Sequence, residues 1–415
     1  MSDADWVSLD QALAMVLASV EPVSTESVSL SDALGRALAA PLDSPVDHPP
    51  WDNSAMDGFA VHAEDVAGAT AERPVTLPIS DDIPAGRFPR GSLRRGTAAR
   101  VMTGAPVPDG ATGVIRVEHA ADAGDSVEVR DGADARRHIR RRGEDIRAGD
   151  RLLDAGVEIG PAETAILAMA GAASVSTGRR PRVGILANGD ELADFDDYDD
   201  VIAGRRIMNS NGHAVAAQVR TAGAIPVPLG IARDDPADLA ERIRRGADCD
   251  AIVSAAGVSV GEHDHVKRVL DGLGFERRFW RVTVRPGSAT LFGLLGGRPF
   301  WGVPGNPVSA MVTFEILVRP ALRRMAGFAR FLPASILCRL SGDARGPADV
   351  VSLLRVRLVD VSTDPPTVSL TGPQGSGILS SMLADGLLEL PMGVEVIGDG
   401  EHGRVLPLRR WSLPG

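Results

Sequence analysis

At 415 residues, 44% hydrophobic and 24% charged, the chain has the composition of an ordinary globular protein and the length of roughly two to four compact units. Its net charge of −11 argues against a dedicated nucleic-acid binder, because affinity for a phosphate backbone needs a basic footprint. Cys249 and Cys338 lack metal-ligand or framework spacing, the first ten residues carry Asp3, Asp5 and Asp10 where a leader would be basic and apolar, and the apolar stretch 165–175 is too short for a bilayer, so a cytoplasmic protein without membrane partners is expected.

Residues 6–42 read as helix, polar break and helix, from Leu9, Leu13, Val16 and Leu17 and then from Leu30, Leu34 and Leu38 at helical spacing. Pro41, Pro45, Pro49 and Pro50 end that pattern. Short alternating runs at 75–79, 113–118 and 126–130, set between Gly, Pro and Asp turns, predict a small β domain over 56–135. An apolar helical pattern returns at 157–173, so the β domain reads as an insertion into a helical one. Beyond Pro181 strands are expected at 182–187, 224–229, 250–255, 275–284, 290–295 and 298–303, with helices from about Asn209, Asp235, Asp264 and Pro307. That alternation predicts a mostly parallel βαβ sheet covered on both faces, with ligands at the carboxyl ends of its strands. Short β runs at 352–359, 367–370 and 387–390 predict a C-terminal β domain. The expected fold class is therefore α/β plus β, multi-domain, with an N-terminal helical segment.

Four loops of the central domain carry chemistry. Val303-Pro304-Gly305-Asn306-Pro307-Val308-Ser309 leaves a strand and opens a helix, with Asn306 suited to the N-cap and Pro307 to the first helical position. Gly305 lets a ligand approach the backbone, and the free N–H groups favour an anion; a well-capped helix is the plain alternative. The loop after the third strand, with Gly257, Ser259, Gly261 and Asp264, reads as a second close approach for a phosphate or, more simply, as a tight turn capped by Asp264. Asp190 and Glu191 after the first strand and Asp234 and Asp235 after the second are ordinary caps or turns one by one. Together with Asp264 they suit Mg²⁺, which takes carboxylates plus substrate phosphates. Finally, period-two alternation puts Arg281, Thr283 and Arg285 on one strand face beside Pro286-Gly287-Ser288, where guanidinium groups match an oxyanion or make structural ion pairs. The basic run 136–142 reads as a solvated face, and His263 with His265 is too little for zinc.

Taken in order, PPWDNSAMDGFAV (49–61), RVMTGAPVPDGATGVIRVE (100–118), RRGEDIRAGDRLLDAG (141–156), RPRVGILANGDEL (180–192), AAGVSVGEHD (255–264), RPGSATLFG (285–293), VPGNPVSA (303–310) and PQGSGILSS (373–381) resemble the molybdopterin molybdotransferases, the family of MoeA and the gephyrin E domain. The resemblance spans nearly the whole chain. It implies four domains, which fall here at 1–48 with 140–178 (helical linker), 49–139 (inserted β), 179–328 (molybdopterin-binding α/β) and 329–415 (C-terminal β). It implies an elongated homodimer that inserts molybdate into adenylylated molybdopterin and releases AMP, with Mg²⁺ as the metal, Zn²⁺ as the second option, and molybdopterin adenylyltransferase as a candidate partner.

By motif position, Asp57 and Thr103 are contributed by a neighbouring domain, Asp190, Glu191, Asp234 and Asp264 form the metal and catalytic acidic set, and Arg281 and Arg285 stand where the family has lysines. Gly257, Ser259, Gly261, Ser288, Gly305, Asn306 and Ser309 would meet the pterin phosphate or oxyanion, joined by Ser376 from the C-terminal domain. The chain departs from the family at Ala255-Ala256-Gly257 (serine-glycine-glycine elsewhere), at Asn188 (threonine) and at Ser288 (the second lysine of a lysine-proline-glycine-lysine run). A diverged pterin-binding or delivery protein with weak turnover, and a scaffold, are the competing readings.

Overall fold

The computed structural model describes residues 6–255, 263–375 and 379–409. The chain divides into two units, one of Met1–Ala40, Ala155–Ala165 and Ala173–Gly415, the other of Pro41–Asp154 and Ile166–Ala172.

In the larger unit, α1 (Leu9–Ala18) opens on a capping box: Gln11 N–H donates to Ser8 Oγ at 3.1 Å while Ser8 N–H donates to Gln11 Oε1 at 2.9 Å. Ala12 and Val16 form its buried stripe. The second helix expected before Pro41 does not form. Thr25–Ser29 is instead a strand antiparallel to Ser174–Gly178, Leu30 starts a single 3₁₀ turn, and Gly35 lies at φ +72°, a conformation that ends helices. The leucine spacing is real, but Ser29 Oγ captures both Asp32 N–H and the Asp32 carboxylate, a local turn that competes with helix.

The smaller unit is built on β1 (Gly58–Val61), β2 (Val75–Ile83), β3 (Ala98–Val101), β4 (Gly113–Arg116), β5 (Ala120–Asp122) and β6 (Ser126–Val129), ordered β4-β1-β3-β2-β6-β5. All four residues of β1 are buried, as befits a strand flanked on both edges. A Cβ at Gly58 would sit 2.0 Å from the Ile115 carbonyl oxygen, so only glycine admits β4 this closely.

The larger unit's central sheet contains β7 (Arg182–Asn188), β8 (Ile225–Ala232), β9 (Ala251–Ala255), β10 (Phe275–Phe279), then β12 (Leu291–Leu295) and β13 (Arg298–Val303), with β11 (Val284–Arg285) joining a different sheet. The order is β8-β7-β9-β13-β12-β10, parallel through β13 and antiparallel beyond it. The helices α2 (Ser210–Thr221), α3 (Pro236–Arg245), α4 (His263–Gly272) and α5 (Pro307–Thr313) begin where expected. Val183, Val253 and Trp301 pack on one face and Leu186, Ile252 and Phe300 on the other, so both faces are covered. The single strand expected at 275–284 is broken into Phe275–Phe279, Arg281–Val282 and Val284–Arg285. Each piece takes a different partner: β12, the Trp6–Val7 strand, and the C-terminal sheet respectively.

The C-terminal strands β14 (Ile336–Ser341), β15 (Val351–Asp360), β16 (Thr367–Leu370), β17 (Gly386–Leu390) and β18 (His402–Pro407) run β11-β15-β16-β14-β18-β17, and a further β15–β17 pairing closes them into a ring. Cys338, Leu354, Val356, Leu388 and Val405 fill it. Closure removes the exposed edges that short β runs would otherwise present.

Candidate functional site

The parallel strands β7, β8, β9 and β13 end at Asn188, Ala232, Ala255 and Val303 on one edge of their sheet. The residues that follow them in the chain are those singled out from sequence: Asp190 and Glu191, Asp234, residues 256–262, and Gly305, Asn306 and Ser309. Gly257, Ser259, Gly261 and Ser376 lie outside the described residues. Asp264 falls in the first turn of α4, within the helix rather than at its N-cap, and its side chain also lies outside them.

The acidic corner is held by its backbone. Gly189 N–H donates to the Ala232 carbonyl at 3.1 Å, tying the β7 exit to the β8 exit. Gly189 lies at φ +144°, a backbone conformation that strains residues with a Cβ, and the Glu191 carboxylate folds back over this turn. Asp190 Oδ1 accepts the Asp234 N–H at 3.3 Å, and Asn188 Nδ2 reaches Asp234 Oδ1 at 3.5 Å. Asp190, Glu191 and Asp234 are exposed, whereas Asn188 is 8% exposed and its Oδ1 is buried without a hydrogen-bond partner among the described residues. Asp235 does what a neighbouring acid usually does: it caps α3, accepting the Ala237 N–H at 3.1 Å. Among the described residues no three His, Cys, Asp or Glu side chains form a ready metal cage.

At the β13 exit, Pro307 occupies the first turn of α5 as expected, but Asn306 makes no side-chain capping hydrogen bond. The loop is fastened from elsewhere: Asn211 Nδ2 in α2 donates to the Gly305 carbonyl at 2.6 Å. Its own Oδ1 is buried and unpartnered among the described residues. Asn211 was not visible as a functional residue in the sequence; the only local signal was the Asn209 cap that places it in the first turn. Ser309 is 5% exposed. It meets the 286–288 turn, because a Cβ on Gly287 (φ +116°) would lie 3.9 Å from the Ser309 carbonyl and 2.6 Å from Thr313 Oγ1. Thr290 Oγ1 donates to the Gly287 carbonyl at 2.6 Å, and Val282 N–H to the Ser288 carbonyl at 3.0 Å. The backbone under Ser288 is therefore set, and its side chain is half-buried.

The arginine face differs from its expected setting. Trp280, Val282 and Val284 are buried as the alternation requires, while Arg281 is half-buried and Arg285 exposed. Arg281 lies over the Trp6 ring, 5.2 Å from its centroid, so an aromatic face supplies one partner of the guanidinium. A third arginine, missed in the sequence, is the more unusual one. Arg355 of β15 is 2% exposed; its Nη2 donates to the Gly375 carbonyl at 3.2 Å, and its Nε has no partner among the described residues. Burial works against its charge and lowers its pKa. It lines a cavity of about 250 Å³ together with Val308 and Met311 of α5, Gln218 of α2, and Leu387. Nothing in the run Leu353-Leu354-Arg355-Val356 marks it, since a lone arginine in an apolar strand reads as one outward-facing position.

In the smaller unit, Asp57 and Thr103 are brought together although 46 residues apart: Thr103 N–H and Oγ1 both donate to Asp57 Oδ1, at 2.6 and 2.8 Å. The backbone N–H and then the hydroxyl hold this exposed carboxyl below the usual aspartate range. The basic run 136–142 is largely matched, with Arg136 on Glu64, Arg141 on Asp52 and Arg142 on Asp47.

Three family descriptions match the chain in succession: "MoeA N-terminal region (domain I and II)" over residues 7–171, "Probable molybdopterin binding domain" over 184–324, and "MoeA C-terminal region (domain IV)" over 338–408. The chain is 37% identical over 398 residues to molybdopterin molybdenumtransferase 2 of Mycobacterium tuberculosis, covering 93% of this chain and 95% of that one. It is 36% identical over 392 residues to the molybdopterin molybdenumtransferase of a Nostoc species, with 92% and 89% covered. The crystal structure of a molybdopterin biosynthesis MoeA protein from Pyrococcus horikoshii matches the fold with TM-score 0.84 at 27% identity, over 97% of this chain and all of that one.

Proposed function

This chain belongs to the molybdopterin molybdenumtransferase family, and from that premise we propose that it transfers molybdate to adenylylated molybdopterin with release of AMP. The observation that carries the reading is the gathering of Asp190, Glu191, Asp234 and the 304–309 segment at the exits of neighbouring parallel strands. Exposed acids beside a glycine-permitted close approach suit a phosphorylated ligand that brings its own cation.

Asp190, Glu191, Asp234 and Asp264 are the residues that would hold Mg²⁺, which when bound would offset charge on the pyrophosphate. The fit rests on the unpartnered, buried Asn188 Oδ1 beside Asp234 and on the habit of Mg²⁺ of using one or two carboxylates, water and substrate phosphate instead of a full protein cage. Zn²⁺ would want nitrogen or sulfur ligands and fits this oxygen set less well. Gly257, Ser259, Gly261, Gly305, Asn306 and Ser309 would bind the pterin phosphate through backbone and hydroxyl donors. Arg281, Arg285, Ser288, Ser376 and the buried Arg355 would face the oxyanion. Asp57 and Thr103 would be supplied by the partner subunit of a homodimer, with an adenylyltransferase providing the nucleotide substrate. The finer division into four domains, at 1–48 with 140–178, 49–139, 179–328 and 329–415, belongs to the same proposal, as does a cytoplasmic location.

The test is AMP release from adenylylated molybdopterin in the presence of molybdate and Mg²⁺. Turnover by the parent chain and its loss in Glu191→Ala, with the melting temperature unchanged, is the expected result. Because Glu191 is exposed and in a loop, its removal costs no core contact. An unchanged rate in Glu191→Ala would sink the acidic assignment. Tight pterin binding with no AMP released by the parent would favour delivery over catalysis, the reading to which Ser288 in place of a lysine points.

A further inference from the structure

The smaller unit contains a buried charge cluster that the proposed chemistry leaves unused. Asp134 is 1% exposed, and its carboxylate meets three groups able to carry positive charge. Arg116 Nε donates to Oδ2 at 2.8 Å, His119 Nδ1 lies 3.1 Å from that oxygen, and His138 Nε2 lies 3.1 Å from Oδ1. Burial alone would raise the Asp134 pKa, but the hydrogen bond from Arg116 and the closeness of the His138 ring outweigh it and keep the carboxyl below its ordinary range. A carboxylate so enclosed persists only where partners of this kind surround it.

What the cluster joins is more informative than the cluster itself. Arg116 pairs in register with Gly58, and the next residue, Val117, donates its N–H to the Asp57 carbonyl at 3.3 Å. His138 accepts the Ala55 N–H on its carbonyl at 2.8 Å, and Ile139 pairs with Ser54. The two backbone stretches that clasp the 54–58 turn, one at Asp57 and one at Ala55, are thus tied to each other through a single buried carboxylate. His138 also lies at φ +66°, the one non-glycine residue in the left-handed region among the described residues. His, Asn and Asp tolerate that region best, and His138 there sends its ring to Asp134 and its carbonyl to Ala55.

We infer that Asp134, acting through Arg116 and His138, is a positioning residue that holds the turn bearing Asp57 in its working geometry. The inference rests on the reading of Asp57 given above. Asp134 and His138 themselves need not touch substrate: the carboxylate fixes two carbonyl-to-amide contacts, and those fix the turn.

The experiment pairs AMP release with amide hydrogen exchange at Ala55 and Val117 in the full chain. Asp134→Asn keeps the volume and removes the charge. It should lower kcat by about tenfold to a hundredfold, since a displacement of roughly 1 Å at a reacting group costs on that order, and should speed exchange at both amides while KM moves little. Because the effect runs through Asp57, Asp57→Asn with Asp134→Asn should be no slower than Asp57→Asn alone. His138→Val, which removes the ring and is β-branched at a positive φ, should lose most of the rate as well. His138→Gly, which keeps the backbone freedom and removes the ring, carries the same test if Asp134→Asn does not fold. Unaltered exchange at Ala55 and Val117 in a folded Asp134→Asn protein, or a fully additive double variant, overturns the inference. If Asp57→Asn proves fully active, the role of Asp57 falls, and the exchange data alone decide whether Asp134 positions the turn.

Discussion

Thr103 acts on Asp57 through two donors to one oxygen, and the distinction between them is testable. Thr103→Val keeps the backbone N–H and the side-chain shape but deletes the hydroxyl. The folded-state pKa of Asp57 is depressed, so its ionised form prevails above that depressed value and is lost only as pH falls through it. Removing one donor moves the value up toward the ordinary 3.8, and the acid edge of AMP release should move to higher pH with it. An acid edge identical in the two proteins would show that Asp57 ionisation does not govern the rate. Glycine at 287 is a comparable single-residue requirement: positive φ coincides with a Cβ direction blocked by the buried Thr313 hydroxyl, and at 189 the positive φ alone strains any other residue.

At the level of elements, the start of the central sheet is locked by one carboxylate. Asp250, just before β9, accepts Arg179 Nη1 and Nη2 at 3.0 and 2.7 Å and the Arg182 N–H of β7 at 2.7 Å. Burial pushes its pKa up, and the Arg179 pair with the Arg182 amide more than reverses that. A depressed folded-state value means the stabilisation is present above the ordinary aspartate range and disappears as pH falls through the folded value. Asp250→Asn should therefore lose about 1.5–3 kcal/mol at neutral pH, the usual worth of a charge-assisted hydrogen bond, and should show a shallower loss of stability on acidification. Denaturant melts at pH 7 and pH 3 measure both; equal stabilities at pH 7 would refute the assignment. The broken 275–285 segment shows the same principle from the other side. A single alternating stretch was divided among three sheets because Trp6–Val7 and β15 compete for its backbone, and no residue within the segment announces those partners.

For the whole molecule, an acidic chain of net charge −11 that holds an anionic substrate has to offset repulsion locally, with backbone N–H groups, arginines or cations at the site. If Asp57 and Thr103 serve a partner's strand ends, the chain must associate, and sedimentation at micromolar concentration should give twice the 43.4 kDa chain mass. A monomer that nevertheless released AMP at full rate would remove the intersubunit part of the site proposal.

The amino-acid sequence by itself determined what is periodic or local. The βαβ alternation, the helix starts near Asn209, Asp235 and Pro307, and the acids and glycines at successive strand exits follow from burial on a two-faced sheet and from capping chemistry, which act within a few residues. The motif order identified the family for the same reason, since each motif is a contiguous turn. Tertiary structure alone decided the rest. Leu30, Leu34 and Leu38 have helical spacing but a strand and a 3₁₀ turn were formed in that region, because Ser174–Gly178 offered Thr25–Ser29 a ladder. Arg281 was stacked on Trp6, Asn211 fastened the 305 loop from α2, and Arg355 was buried. Each of these outcomes depends on a partner between about 90 and 280 residues away or on ring closure of a sheet, and a contact at such separation is set by which chain segments pack together.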